Sequence, residues 1–311
     1  MQKKNRKDPK ARKKRAEHIK TYVLCFGMAL ALLVSALFTY GPKHLPHVPS
    51  WEQVYAVLGL GSDNLCYQYP FVICFLSVGQ GDCTLIRTED QIVLIDTGPS
   101  GQENRIRSQL SKLEADDIDY CFITHPHEDH LGSLSELLEA VPIHQLLLTG
   151  DGYPGELYQL AKEKGTTTEQ PVIGQTYQIG GSKFSALGPS FFGADENNNS
   201  LILKIEYGNF SFLITGDAET DEEQSLSGNL ASTVLKVGHH GSKSSTSAAF
   251  LCQVKPRYAV ISCGKNNDYG HPHQETLDRL AECSVEVHRT DEEGTIIFAT
   301  DGTQLYTNQA A

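Results

Sequence analysis

Thr124-His125-Pro126-His127-Glu128-Asp129-His130 is the stretch whose reading decides the fold. Three imidazoles and the carboxylate of Asp129 fall within six residues, directly after the apolar run Tyr120-Cys121-Phe122-Ile123-Thr124. Such a run reads as a buried strand that delivers side chains to a loop at a sheet edge. Leu131, Leu134 and Leu138 then recur at helical spacing, so the cluster sits at a strand-to-helix junction. Divalent metals such as zinc take neutral imidazole nitrogen and carboxylate oxygen at about 2.0–2.2 Å. His125 and His127, alternating in an extended loop, can face one metal. Asp129 and His130, as the chain turns, can face a second. A solvated polar loop seldom concentrates three histidines and an acid in this way.

Further candidate ligands stand at strand ends. Asp217 emerges from Phe210-Ser211-Phe212-Leu213-Ile214-Thr215 through Gly216, and a carboxylate with two oxygens can bridge two metals. His239-His240 follows the strand Thr233–Val237 between Gly238 and Gly241. Adjacent side chains of an extended chain cannot both face one point, so one imidazole should ligate and the other contact substrate or support the site; His239 is taken as the ligand. Asp96, at the end of the strand Gln91–Ile95, should orient the cluster loop through hydrogen bonds. His271 and His273, in a loop stiffened by Pro272, are read either as exposed loop histidines or as contacts to a substrate phosphate. Ser242, Ser244, Ser245 and Thr246 could donate hydrogen bonds to the same phosphate.

The 311 residues are 40% hydrophobic, enough for a sizeable core, and carry a formal charge of −12. Residues 1–20 hold ten Lys/Arg against Asp8 and Glu17, a net of +8 that leaves −20 on the remainder. An acidic body argues against broad sequence-independent nucleic-acid binding, which depends on phosphate neutralisation. Thr21–Tyr40 is a charge-free run of 20 residues, long enough to span a bilayer core. The basic segment 1–20 should stay cytoplasmic. We therefore expect an uncleaved signal-anchor over residues 21–40, in preference to a cleaved signal peptide, with the rest of the chain outside the cytoplasm. Residues 41–66 read as a Pro-containing linker and a short helix, and residues 67–311 as one domain. Cys25 lies in the apolar run; the other seven of the eight cysteines cannot pair fully within one chain and read mostly as buried thiols.

Along residues 67–311, strands are expected at Phe71–Val78, Cys83–Arg87, Gln91–Ile95, Val141–Leu148, Ser200–Tyr207, Phe210–Thr215, Tyr258–Cys263, Val285–His288 and Thr295–Ala299. Helices are expected over 102–113, 131–140, 219–226 and 276–282. Residues 151–180 are weakly patterned and read as an excursion near the site. Each half has strands first and helices after, which suits two packed sheets covered by helices on both outer faces.

The motifs VGQGDC, LIDTGP, THPHEDHLGS, NNNSLILKIEYGNFSFLITGD, LKVGHHGSKSSTS and HPHQETLDRL carry a resemblance. Over roughly residues 67–300 the chain resembles the metallo-β-lactamase superfamily, in the branch of the C-terminal hydrolase-like domain of ComEC-type DNA-uptake proteins. The resemblance implies an αββα sandwich of two mixed sheets with helices on both outer faces, here preceded by one transmembrane helix. It also implies metal-dependent hydrolysis, usually of a phosphodiester or nucleic acid, with two zinc ions, or manganese, as cofactors. The first site would hold His125, His127 and Asp217, and the second Asp129, His130, Asp217 and His239. The superfamily's third first-site histidine has no counterpart: Asn199-Ser200 stands there, so the first site is weak or draws on Asn199. Ser77 and Cys83 also depart from the branch around the GQGD loop. One apolar span replaces the branch's multispanning channel, so DNA translocation is not expected. The function expected is a membrane-anchored metallohydrolase whose partners are a phosphoester substrate such as DNA and the membrane. A non-catalytic accessory module and a lactone or amide hydrolase are the alternatives.

Overall fold

Alternation on two buried faces explains the first sheet. All five residues of β1 (Phe71–Phe75) are buried, with Val72 and Cys74 packed toward helices and Phe71, Ile73 and Phe75 toward a second sheet. A strand buried on both faces reads as a continuous apolar run because both sides must leave water. The chain is seen in a computed structural model that describes residues 65–190, 192–193 and 195–309. The basic segment, the 21–40 span and the linker up to residue 64 lie outside the described residues. Among the described residues no helix is long and apolar enough to cross a membrane.

β1 is joined by β2 (Thr84–Thr88), β3 (Gln91–Ile95), β4 (Ile118–Ile123), β5 (Ile143–Leu148), β6 (Thr167–Glu169), β14 (Ile296–Thr300) and β15 (Leu305–Thr307). The eight strands run in the order β15-β14-β1-β2-β3-β4-β5-β6. Pairing is antiparallel from β15 to β3 and parallel from β3 to β6. The second sheet holds β7 (Thr176–Ile179), β8 (Ser182–Gly188), β9 (Ile202–Tyr207), β10 (Phe210–Ile214), β11 (Val234–Lys236), β12 (Tyr258–Ile261) and β13 (Glu286–Arg289). Its order is β13-β12-β11-β10-β9-β8-β7, parallel from β13 to β10 and antiparallel beyond. Both sheets are therefore mixed, as expected.

The sheets meet through Phe71, Phe75, Phe122, Phe184, Phe212 and Phe298, all fully buried. Phe71 and Phe212 stack across the interface at 5.1 Å. Each such side chain contributes about 1.5–3 kcal/mol by leaving water. Helices close the outer faces. Ile106 and Leu110 of α1 (Glu103–Lys112) and Leu134, Leu137 and Leu138 of α2 (Leu134–Ala140) cover the first sheet. Phe250, Leu251 and Val254 of α3 (Ala248–Val254) and Leu280 of α4 (Gln274–Glu282) cover the second.

Residues 151–180 are more ordered than their pattern suggests. They hold a helix at Gly155–Lys164 as well as β6 and β7. Only Leu157 and Ala161 of that helix are buried, so its apolar periodicity is faint. The helix expected over 131–140 breaks into a turn at Glu128–Leu131 and α2. A helical turn at Leu65–Gln68 precedes β1.

Candidate metal centre

The ends of β3 and β4 in one sheet, and of β10 and β11 in the other, bring Asp96, the histidine loop, Asp217 and His239-His240 together. Gly216 makes the approach of β10 possible. Its φ is +52°, and a Cβ there would lie 2.8 Å from Ser200 Cβ. The His239-His240 pair solves its geometry by a less usual route. Both residues adopt left-handed backbone, with φ 47° and 52°, a conformation costly for side chains other than glycine and concentrated at functional sites. The turn sends the two imidazoles apart.

His240 goes inward, with Nε2 3.1 Å from Asp129 Oδ2 and 3.4 Å from Asp217 Oδ2. His239 stays at the rim, its Nε2 3.8 Å from Asp217 Oδ2 and its Nδ1 hydrogen-bonded to Glu219 Oε1 at 2.9 Å. Among the described residues, Asp82, Asp96 and His130 form one group of donor atoms close enough to share an ion, and Asp129, His130, Asp217 and His240 form another. The imidazole in that group is thus that of His240 and not of His239, which the sequence reading favoured.

Four imidazoles each have one ring nitrogen held by a neighbouring side chain or carbonyl. His130 Nδ1 donates to Asp96 Oδ2 at 2.8 Å, leaving Nε2 3.2 Å from Asp217 Oδ1. His240 Nδ1 donates to the Ser262 carbonyl at 3.0 Å. His125 Nδ1 stands 3.2 Å from Ser200 Oγ, and its Nε2 lies 4.0 Å from Asp217 Oδ2. His127 Nε2 meets Glu196 Oε2 at 3.0 Å, and its Nδ1 turns to His125 Nε2 at 3.0 Å. A hydrogen bond on the far nitrogen fixes tautomer and ring orientation in metal-binding histidines. His130 Nε2 and Asp217 Oδ1 are buried without a hydrogen-bond partner. Buried polar atoms are rarely left so, and a cation between them would satisfy both. The donor set therefore fits a divalent metal.

The charges agree. Burial alone would push the Asp217 carboxyl up, but His240 and His130 hold it well below the usual carboxylate range. Burial lowers the His130 imidazole, yet Asp217 and Asp96 outweigh it and raise it well above the ordinary value. His125 has less compensation; burial and then the neighbouring His130 hold it well below normal. Asp96 also accepts from the backbone N–H and the hydroxyl of Thr124, so one carboxylate braces both strand end and ligand.

Other expected residues have different places. Asn199 does not face the centre: its amide accepts from Gly193 N at 2.7 Å and donates to Gly193 O at 3.0 Å. Ser242 bonds Ser244 at 2.8 Å within its own loop. His273 receives the Lys243 backbone N–H at 3.1 Å and braces the same loop. His271 lines a cleft of about 220 Å³ together with Gln80, Asn197, His127, Asp129, Asp217, His239 and His240. His144 is exposed and pairs with Asp117.

Two residues escaped sequence reading. Lys236 is fully buried at the end of β11, with Nζ 2.5 Å from Asp82 Oδ2. Asp82 Oδ1 lies 3.3 Å from His240 Nδ1, and its backbone N–H donates to Asp129 O at 3.0 Å. Burial would raise the Asp82 carboxyl; Lys236 and then His240 hold it well below the usual range. The available signal was a lysine inside the apolar run Thr233–Val237, which demands a buried partner.

A fold of two mixed sheets between helices, with a His/Asp centre at the sheet ends, defines a class. The chain belongs to the metallo-beta-lactamase superfamily, whose family model matches residues 76–265. It is similar to ComE operon protein 3 of Bacillus subtilis, with 36% identity over 266 residues, covering 75% of this chain and 34% of that protein. It is also similar to competence protein ComA of Neisseria gonorrhoeae, with 33% identity over 228 residues, covering 71% of this chain and 31% of that protein. These relatives are competence proteins of the ComEC type, the branch that the motifs resemble. The chain spans about a third of their length. Among solved structures, the metallo-beta-lactamase fold protein YhfI of Bacillus subtilis matches with a TM-score of 0.51 at 13% identity, covering 76% of this chain and 99% of that one. That likeness concerns the fold.

Proposed function

We propose that the chain is a membrane-anchored, metal-dependent phosphodiesterase. The observation that carries the reading is the set of three imidazoles, His125, His130 and His240, each held on Nδ1 and turned by Nε2 toward the Asp217 carboxylate, with His127 beside His125. Asp129, His130, Asp217 and His240 would hold one divalent cation. His125, His127 and Asp217 would hold a second, with Asp217 shared. Zinc suits the imidazole-rich donors, and manganese is the alternative. Two such cations, when bound, activate water and neutralise the charge that develops on a phosphoester.

The chain's own residues do the rest. Asp96 and the Ser262 carbonyl keep His130 and His240 in one tautomer. Gln80, Asn197, His239 and His271 line the cleft as hydrogen-bonding groups beside the carboxylates. Likeness to competence proteins supports a nucleic-acid phosphodiester as substrate. The apolar run 21–40 and the basic segment before it support an anchor, with the domain outside the cytoplasm.

The second reading is an accessory metal-binding module without turnover. It is supported by the resemblance, which puts Asn199-Ser200 where a third imidazole would complete the first group. Metal analysis of the full chain, together with assays on bis(p-nitrophenyl) phosphate, single-stranded DNA and a lactone, separates the two. Turnover of the phosphodiesters supports the enzyme. One bound metal and no turnover supports the module.

A further inference from the structure

No lysine or arginine is among the residues that line the cleft, and the chain outside residues 1–20 carries −20. Cationic tracking of a phosphate backbone is therefore a poor means of holding the organic part of a substrate here. One apolar ring faces the same cleft. Tyr269 lines it beside Asp129 and Asp217, yet remains 67% exposed.

The ring is set in place. It stacks on His271 with centroids 5.7 Å apart and planes at 22°. His271 is in turn packed edge-on against His239 at 5.5 Å and His273 at 4.9 Å. Asn267 clamps the loop: its Oδ1 accepts the His271 N–H at 2.9 Å, and its Nδ2 donates to Gly264 O at 2.9 Å and His271 O at 2.6 Å. Gln80 Oε1 accepts the Gly264 N–H at 3.0 Å from the opposite side. An exposed aromatic on a mobile loop means little; one held against a buried histidine at the mouth of a metal centre is a preorganised surface.

We propose that Tyr269 is a stacking platform for the nucleobase adjoining the phosphoester held at the His/Asp centre. The proposal rests on the phosphoester reading above and adds the ring that the substrate must carry. Stacking is tolerant of base identity, because every base presents a flat π-face. The site would therefore select for a base without selecting which one.

Calorimetric titration of the full chain in detergent, loaded with zinc or manganese, tests this with two probes. Thymidine 5′-monophosphate carries the base, and 2-deoxyribose 5-phosphate lacks it. The wild type should bind the nucleotide about tenfold more tightly, the scale of one base–aromatic stack. Tyr269→Ala should bring the two probes to within about twofold of each other, and Tyr269→Trp should keep the preference. Because Tyr269 is exposed, its replacement leaves the core untouched, which circular dichroism checks. Equal affinities in the wild type, binding of neither probe, or a preference that survives Tyr269→Ala overturns the proposal. Turnover of thymidine 5′-(p-nitrophenyl phosphate) is measured separately. Absence of turnover with the preference intact removes the phosphodiesterase reading and leaves the platform standing.

Discussion

Ser200 Oγ accepts the backbone N–H of Asp217 at 2.9 Å while standing 3.2 Å from His125 Nδ1. One hydroxyl thus holds the Asp217 backbone and the His125 imidazole in register. It acts on the His125 nitrogen that faces away from Asp217.

Ser200→Ala should therefore weaken the first group without dismantling it. Loss of a hydrogen bond behind a ligating histidine typically costs about 10–100-fold in metal affinity or activity. Competitive chelation should show one of two metals released about tenfold or more too easily. Unchanged affinity at both would show that Ser200 only fills space.

His240 and His239 should separate cleanly. His240→Ala removes an imidazole placed between Asp129 and Asp217, so one metal should be lost. His239→Ala removes a rim group bonded to Glu219 and should leave metal content unchanged. Retention of both metals by His240→Ala, with loss in His239→Ala, would restore the assignment favoured by sequence.

Lys236 and Asp82 form a buried pair. Removing one partner strands a charge, which costs about 3–5 kcal/mol in comparable pairs. Urea unfolding should show a loss of that order in Asp82→Ala, with much of it recovered when Lys236→Met is added. A single variant as stable as wild type would mean that water reaches the lysine.

The membrane proposal has its own test. Alkaline phosphatase fused after Ala311 should be active, and a fluorescent reporter confined to the cytoplasm should not be. The opposite pattern would place the domain in the cytoplasm.

Much of the fold was legible because its signals are local. β1, β4 and β10 are short apolar runs that end at a glycine, a histidine cluster or a turn, and each is a strand. The cluster itself was legible because His125, His127, Asp129 and His130 are neighbours in sequence. Choosing between His239 and His240 was not possible from spacing, since the choice depends on two consecutive left-handed residues. The Asp82–Lys236 pair was hidden for another reason: Asp82 sits in the loop between β1 and β2 and Lys236 at the end of β11 in the other sheet, so no spacing links them. The helix at Gly155–Lys164 was missed because two buried residues give too little periodicity.

The sharing of Asp217 is the centre of the account, and metal stoichiometry tests it most directly. Asp217 reaches toward both groups, 3.2 Å from His130 Nε2 and 4.0 Å from His125 Nε2. Without its charge, two neighbouring cations would repel by several kcal/mol even in a polarisable site. Elemental analysis should find two metals per wild-type chain, one in His125→Ala, and fewer than one in Asp217→Asn. Two metals retained in Asp217→Asn, or a wild type that never holds more than one, would contradict it.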